Sequence, residues 1–336
     1  MKIPKKTSFI LILVLISLLI IFISSCMSHA NYSNKFENIT IALKWVHQSQ
    51  FTGNYVAIEK GFYKDSGLNV RLIPYDFKNF PIDLVANGKA EFGIAGADEV
   101  LIARSKGLPI KAIAVIYQSN PVCAFALKES GIRSPYDFVG KRIGIEKGTN
   151  VEYEYIAMMQ RLNISRSNIT EISIGPVAEE LINKSVDVST GYIINEPFYA
   201  EDSGYEINIM MVEDYGVDMY ADVLFTTDSM ILNNPKLVED VTADTLKGWQ
   251  YSIEHQDEAL DIVMKYAVNK NANHEKYSLI KSIPLISNGD IPLGMMNDKK
   301  WSDVQDILAN QDMIATHVLL SDVYTNTFVE KYYDNK

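Results

Sequence analysis

The sequence predicts an α/β fold of two lobes that face each other across a cleft, closed by C-terminal helices. Three observations carry this. Strand-like and helix-like segments alternate from Ile39 to Tyr117. The alternation starts again after Pro135. And the roughly 300 residues beyond an apolar leader exceed what one hydrophobic core usually organises.

In the first unit, Ile39, Ile41, Leu43 and Trp45 alternate with Thr40, Ala42 and Lys44, a period of two that reads as a strand ending at Trp45. Residues 51–60 read as a helix closed by Gly61, and 69–74 as a second strand. Residues 81–87 form a short helix stopped by Gly88. A strand at 92–94, a helix at 98–105 and a strand at 110–117 complete the unit. Such alternation is the signature of an open, largely parallel sheet. In the second unit, residues 142–145, 169–174, 186–190 and 207–212 read as strands. The loop Lys147-Gly148-Thr149-Asn150, a helix after it to about Leu162, and helical turns at 179–183 and 197–202 connect them. One more strand follows at 223–227, then helices at 235–254, 257–266 and 301–308. Crossings near 123–127 and 223–227 make the middle unit an insertion. Lobe 1 is then 39–125 with 224–336, and lobe 2 is 126–223. Ligands of open α/β sheets bind outside the carboxyl ends of the strands. The cleft between two such lobes is the expected site.

The N-terminus reads as a processing signal. Lys2, Lys5 and Lys6 precede an apolar run over 9–23 broken by Ser17, and the run ends in Ile23-Ser24-Ser25-Cys26. A basic start, an apolar centre and small residues describe a secretory signal, and the run is short for a spanning helix of about 20 residues. The tetrapeptide resembles the bacterial lipobox, whose cysteine is lipidated and becomes the mature N-terminus. Residues 1–26 are therefore expected to be a signal with Cys26 as the lipid carrier, and 27–38 a polar tether. One acyl chain anchors only marginally, so firm attachment requires two or three. The alternative is an uncleaved membrane anchor. In both cases the remainder lies outside the membrane, tethered at one end.

Charge and cysteine count exclude several functions. The net charge is -11, and losing the three leader lysines takes it to -14. Nucleic-acid binding needs basic patches, so that class is excluded, and the acidic surface reads as a solubility feature. Of the two cysteines, lipidation of Cys26 leaves Cys123 alone, without a disulfide partner. Cys123 reads as a small buried hydrophobe, and metal sites built on cysteine are excluded by number. The five histidines show no H-E-x-x-H spacing. His47 lies near the expected site and reads as a satisfied or surface residue.

Several residues are placed to meet a ligand. Trp45 at a strand end offers an indole for stacking on a planar ring, or alternatively a core side chain. Tyr55 on the next helix faces either the site or the sheet. Tyr117 ends the fourth strand, and Tyr153, Tyr192, Tyr215 and Tyr220 come from the second lobe; a tyrosine offers a flat apolar face and a hydroxyl. Spacing does not select among the 19 tyrosines. Gly148, Thr149 and Asn150 lie between a strand and a helix, where backbone N–H groups receive anions or polar oxygens, unless Thr149 simply caps the helix. Glu196 can accept from an exocyclic amine and a ring N–H together, with Asp98 and Glu99 as alternative acceptors or helix caps.

The blocks Leu43-Lys44-Trp45, Gln50-Phe51, Tyr55-Val56-Ala57, Lys60-Gly61-Phe62-Tyr63-Lys64 and Gly67-Leu68-Asn69-Val70 resemble the opening of the thiamine-pyrimidine group of periplasmic binding proteins. Asn87-Gly88-Lys89-Ala90-Glu91-Phe92-Gly93, Gly140-Lys141-Arg142-Ile143-Gly144, Asn195-Glu196-Pro197, Asp214-Tyr215-Gly216-Val217 and Asn234-Pro235 extend the resemblance to about Tyr266. It implies the type II periplasmic binding protein fold and adds Gln50 to the site. It also implies a monomer without cofactor that closes on a small ligand by hinge motion and docks on an ABC permease driven by an ATPase. Only a differential affinity for the closed form can drive that closure.

Within that group a thiamine pyrimidine precursor is the leading ligand; riboflavin or a sulfonate- or nitrate-type solute, and a sensory clamp, are the alternatives. The group also contains an enzyme that makes the pyrimidine. Its catalytic histidine falls at or near Phe51 here, its cysteine-rich iron-binding run has no counterpart, and its pyridoxal lysine is not located. No Walker-type loop or G-x-G-x-x-G is present. These residues favour a binder over an enzyme, a judgement that rests on the site rather than the fold.

Overall fold

The computed structural model describes residues 36–334 apart from 176, 177, 288 and 290. Cys26 and the signal lie outside the described residues. The strands in chain order are β1 (Glu37–Ala42), β2 (Leu68–Ile73), β3 (Phe92–Ala95), β4 (Ile110–Val115), β5 (Val122–Leu127), β6 (Arg142–Ile145), β7 (Thr170–Ser173), β8 (Val188–Tyr192), β9 (Ile207–Met211) and β10 (Val223–Thr227). They form two five-stranded sheets, ordered β2-β1-β3-β10-β4 and β7-β6-β8-β5-β9. In the first, β1 and β3 are parallel and β10 is antiparallel to both neighbours. In the second, β6 is parallel to β7 and β8, while β5 is antiparallel to β8 and β9. The helices that matter for the site are α1 (Thr52–Glu59), α2 (Ala97–Ser105), α3 (Asn150–Arg161), α4 (Glu196–Asp202), α5 (Pro235–Glu254), α6 (Gln256–Tyr266), α7 (Ala272–Ile286) and α8 (Asp298–Asn310).

The chain passes from the first sheet to the second over 116–121 and returns over 212–222. These two crossings lie side by side. Ile116 N–H donates to the Asp222 carbonyl at 2.7 Å, Ala221 N–H to that of Tyr117 at 3.2 Å, and Val212 N–H to that of Val122 at 3.1 Å. The crossings expected near 123–127 and 223–227 coincide with strand β5, which was not read, and with β10, which was, so lobe boundaries at 125 and 223 cut through both strands. The physical reason is burial: all six residues of β5 are buried, and a strand covered on both faces shows no alternation to read. The first strand also starts at Glu37, inside the expected tether, and ends at Ala42 rather than Trp45.

In the first lobe α1 packs between the sheet and α5. The buried residues of α5 include Leu237, Val238, Val241, Leu246 and Trp249, the three-to-four spacing of an inward stripe. Two glycines let the helices touch. A Cβ on Gly248 would lie 2.0 Å from the Gly53 carbonyl, and one on Gly53 would lie 2.2 Å from the Trp249 ring. Helix α7, absent from the sequence reading, is capped by Asn271, whose side chain accepts from the N–H of Asn273 and His274, and it carries Pro284 inside. An internal proline normally argues against a helix. Among the described residues no helix is long and apolar enough to cross a membrane.

A Gly→Ala change inside a helix ordinarily gains stability. For Gly248→Ala the sign is reversed, with an expected loss of about 1–3 kcal/mol from overpacking against α1, read from the midpoint of denaturant unfolding.

Candidate functional site

Where the two sheets face each other, polar side chains from both form one connected, buried set. Lys44, just past β1, extends Nζ to the Tyr192 hydroxyl at 3.4 Å and to Asp222 Oδ1 at 3.6 Å. Tyr192 ends β8 of the other lobe, and Asp222 lies on the second crossing. Gln50 Nε2 donates to both Asp222 oxygens at 2.8 and 3.1 Å, and Gln48 Nε2 supports Gln50 Oε1 at 3.0 Å. On α3, Asn150 Nδ2 lies 2.8 Å from the Tyr192 hydroxyl and 3.1 Å from Glu154 Oε1. Asn120, on the first crossing, donates to Glu154 Oε2. An unbroken chain of polar contacts thus runs from Gln48 in one lobe to Glu154 in the other.

Burial dominates the electrostatics. It pushes Glu154 up to about 8, reinforced by the charge of Asp98 and opposed by the Asn120 and Asn150 donors. It raises Asp98 to about 6, with Glu99 adding repulsion and Lys44 opposing. Asp222 is raised by burial too, against the pull of Lys44 and Gln50. Burial works against the Lys44 charge, but Tyr192, Asp222, Glu99 and Asp98 outweigh it, so the amine is held well above the ordinary lysine value. A buried charge persists only where such partners replace its water.

Gln50, Asp98 and Asn150 are thus brought to this set, and Tyr153 borders it: burial, Glu152, Asp98 and Glu99 all raise its phenol. The other expected residues go elsewhere. Trp45 is half-buried, its ring edge-on to Phe77 at 5.4 Å and 78°. Tyr55 is a core residue, stacked on Tyr266 at 4.4 Å with its hydroxyl 3.1 Å from His47 Nδ1. Tyr117 belongs to the first crossing, but its hydroxyl donates to Ser282 Oγ at 2.7 Å. Gly148 N–H is taken by Glu152 Oε2 at 2.7 Å, and Thr149 Oγ1 by the Glu146 carbonyl at 2.7 Å, so this loop satisfies itself. Glu196 holds the turn after β8: Oε2 accepts from Tyr192 N–H at 2.6 Å and Oε1 from Asn195 Nδ2 at 2.5 Å. Burial raises its carboxyl to about 7. Tyr215 sits in the turn Glu213–Tyr215, within electrostatic range of Asp137 and Tyr136. Glu99 caps α2 through the Gly96 N–H at 2.6 Å. Cys123 is buried in β5, as its apolar surroundings imply.

The sequence reading did not assign Lys44, Asn120, Glu154 or Asp222 to the site. Glu154 had a local signal, since Asn150 and Glu154 stand four apart on one helix face. Asp222 had a fainter one, a carboxylate set between Ala221 and Val223 at the start of an apolar strand.

The family model described as NMT1/THI5 like matches residues 48–259. The chain belongs to that family. This family member is 26% identical over 310 residues to the riboflavin-binding protein RibY of Chloroflexus aurantiacus, covering 89% of this chain and 88% of that one. It is 25% identical over 322 residues to the formylaminopyrimidine-binding protein of Halalkalibacterium halodurans, covering 93% and 98%. A 4-amino-5-hydroxymethyl-2-methylpyrimidine phosphate synthase of Legionella pneumophila is 23% identical over 297 residues, covering 87% and 92%. Among solved structures, the periplasmic aliphatic sulphonate binding protein SsuA of Escherichia coli superposes with a TM-score of 0.67 at 11% identity, covering 85% and 91%. The fold is therefore that of the periplasmic binding proteins, in the two-lobed form the sequence predicts. Among the described residues of this family member, no group of His, Cys, Asp and Glu is arranged to hold a metal ion.

The raised carboxyls make a pH prediction. Glu154 and Asp98 keep protons in the folded state that the unfolded chain, with values of 4.5 and 3.8, has released. The folded state then binds more protons, so stability falls as pH rises from about 5 to about 8. Unfolding midpoints measured across that window are expected to fall, and Glu154→Gln to flatten the upper part of the curve.

Proposed function

We propose that this family member is an extracytoplasmic solute-binding lipoprotein, anchored through Cys26, that closes on a small nitrogen-rich heteroaromatic metabolite. It delivers that ligand to an ABC permease and its ATPase. The observation that carries this reading is the buried polar chain from Gln50 through Asp222, Lys44, Tyr192 and Asn150 to Glu154 and Asn120, which draws on both lobes and both crossings. A ligand seated there bridges the lobes, and bridging gives the closed form the differential affinity that closure requires. Three acidic groups, Asp222, Glu99 and Asp98, act on the Lys44 ammonium, and Glu154, protonated up to about pH 8, completes an acid-rich surround. That balance favours a ligand that donates hydrogen bonds, as an aminopyrimidine does, and opposes a sulfonate. The relative named for formylaminopyrimidine binding supports the same choice.

A riboflavin-like ligand is the second reading. It is favoured by the relative named for riboflavin binding. It is also favoured by the ring cluster of Trp45, Tyr75, Phe77 and Phe80, with Phe77 and Phe80 exposed. The synthase reading is disfavoured at one position: the resemblance puts the catalytic histidine at or near Phe51, and Phe51 is wholly buried.

Mass spectrometry of compounds released from the denatured protein is expected to yield an aminopyrimidine. A flavin would move the assignment to the second reading, and an organic sulfonate would sink the electrostatic argument. Asp222→Asn strips Lys44 of its nearest carboxylate and is expected to weaken ligand binding roughly tenfold or more in calorimetric titration. Trp45→Ala examines the ring cluster separately, and an unchanged affinity for an aromatic ligand would remove Trp45 from the site.

A further inference from the structure

We infer that His274 and Asn195 form a latch between the lobes that sets the closed population without touching ligand; the inference rests on the reading of the chain as a hinge-closing binder. Helix α7 belongs to the first lobe. Leu279 and Ile286 pack in the core that holds Trp249, and Ser49 donates its N–H and hydroxyl to Glu275 Oε2 at 2.7 and 2.8 Å. Near its C-terminal end, the Leu285 carbonyl accepts from Ser119 N–H on the first crossing at 3.0 Å. His274 lies eleven residues earlier, about 16 Å along the helix at 1.5 Å per residue. It is thus displaced from the crossings and would swing away when the lobes rotate apart.

At that distance from the crossings His274 meets the second lobe. Nε2 lies 2.8 Å from Asn195 Oδ1. The imidazole stacks on Tyr199 at 5.4 Å and 27° and meets Phe198 edge-on at 5.1 Å, while Tyr277 reaches the same Phe198 at 5.4 Å. Asn195 Nδ2 already donates to Glu196, so Oδ1 is the acceptor and Nε2 of the histidine carries a hydrogen that it donates. His274 is 2% exposed. Opening the clamp would break the bond and wet the ring face together.

The latch also joins the two halves of the site from behind. On one side Asn195 leads through Glu196 to the backbone N–H of Tyr192, whose hydroxyl faces Lys44. On the other, Nδ1 lies 3.4 Å from Glu275, whose other oxygen holds Ser49, the neighbour of Gln50. The latch contacts themselves, His274 with Asn195, Tyr199 and Phe198, involve none of the residues of the buried polar chain. Their free energy counts only in the closed state, and apparent affinity scales with the fraction of protein that is binding-competent.

The experiment needs no ligand. Spin labels are placed at Tyr136 and Leu232, exposed residues of the second and first lobes, in the full mature chain with Cys26→Ser. Interlobe distances are then recorded for the unliganded protein. His274→Phe keeps an aromatic ring on Tyr199 but removes the hydrogen bond. It is expected to lower the closed-to-open ratio roughly tenfold, with the far-UV spectrum unchanged, and His274→Gln to restore part of it. Asn195→Ala is read in the same way should His274→Phe not fold. An unchanged distance distribution in the folded variant overturns the latch. Failure to recover any ligand by mass spectrometry would instead count against the functional reading and leave these distances as they are.

Discussion

An ammonium group buried between two sheets has to be neutralised where it stands, and the arrangement of this protein follows from that requirement. Lys44 is almost removed from water, and its nearest carboxylate, Asp222, lies on the crossing rather than on either sheet. The cost of desolvating such a pair is several kcal/mol per ion, recovered only when every partner is in register. Gln50 fixes Asp222 from one side, and Tyr192 meets Lys44 from the opposite lobe. The buried polar chain and the second crossing therefore share a residue, and neither can change without the other.

Much of the scaffold was legible from residue patterns, because its elements are set by local rules. Alternation marked β1, and strand-helix succession marked the first lobe. The site was only partly legible. Lys44 and Tyr192 are 148 positions apart, and nothing local to either encodes the meeting. Aromatic residues misled for a related reason: an indole or phenol at the end of an element suits a core as well as a cleft. Tyr55, for one, went to the core against Tyr266. Glu196 illustrates a third limit. Its carboxylate was read as free for a ligand, yet the backbone turn after β8 consumes both oxygens.

The family spans proteins named as binders and proteins named as synthases on one architecture. Fold therefore says little about which chemistry a member performs. What distinguishes members is set by the packing and dielectric around particular side chains rather than by topology, as in the burial of Phe51 and the charge held on Lys44 here.

The side-by-side crossings have one more implication. The segment between them enters at Val122 and leaves at Val212, and those two residues share a backbone hydrogen bond of 3.1 Å. A stretch whose ends meet is a cassette. It can be excised and replaced by the equivalent stretch of a relative without stretching the chain on either side. Such a chimera would inherit Asn150, Glu154 and Tyr192 from one parent and Lys44, Gln50 and Asp222 from the other, so the buried polar chain of this architecture is open to recombination in halves.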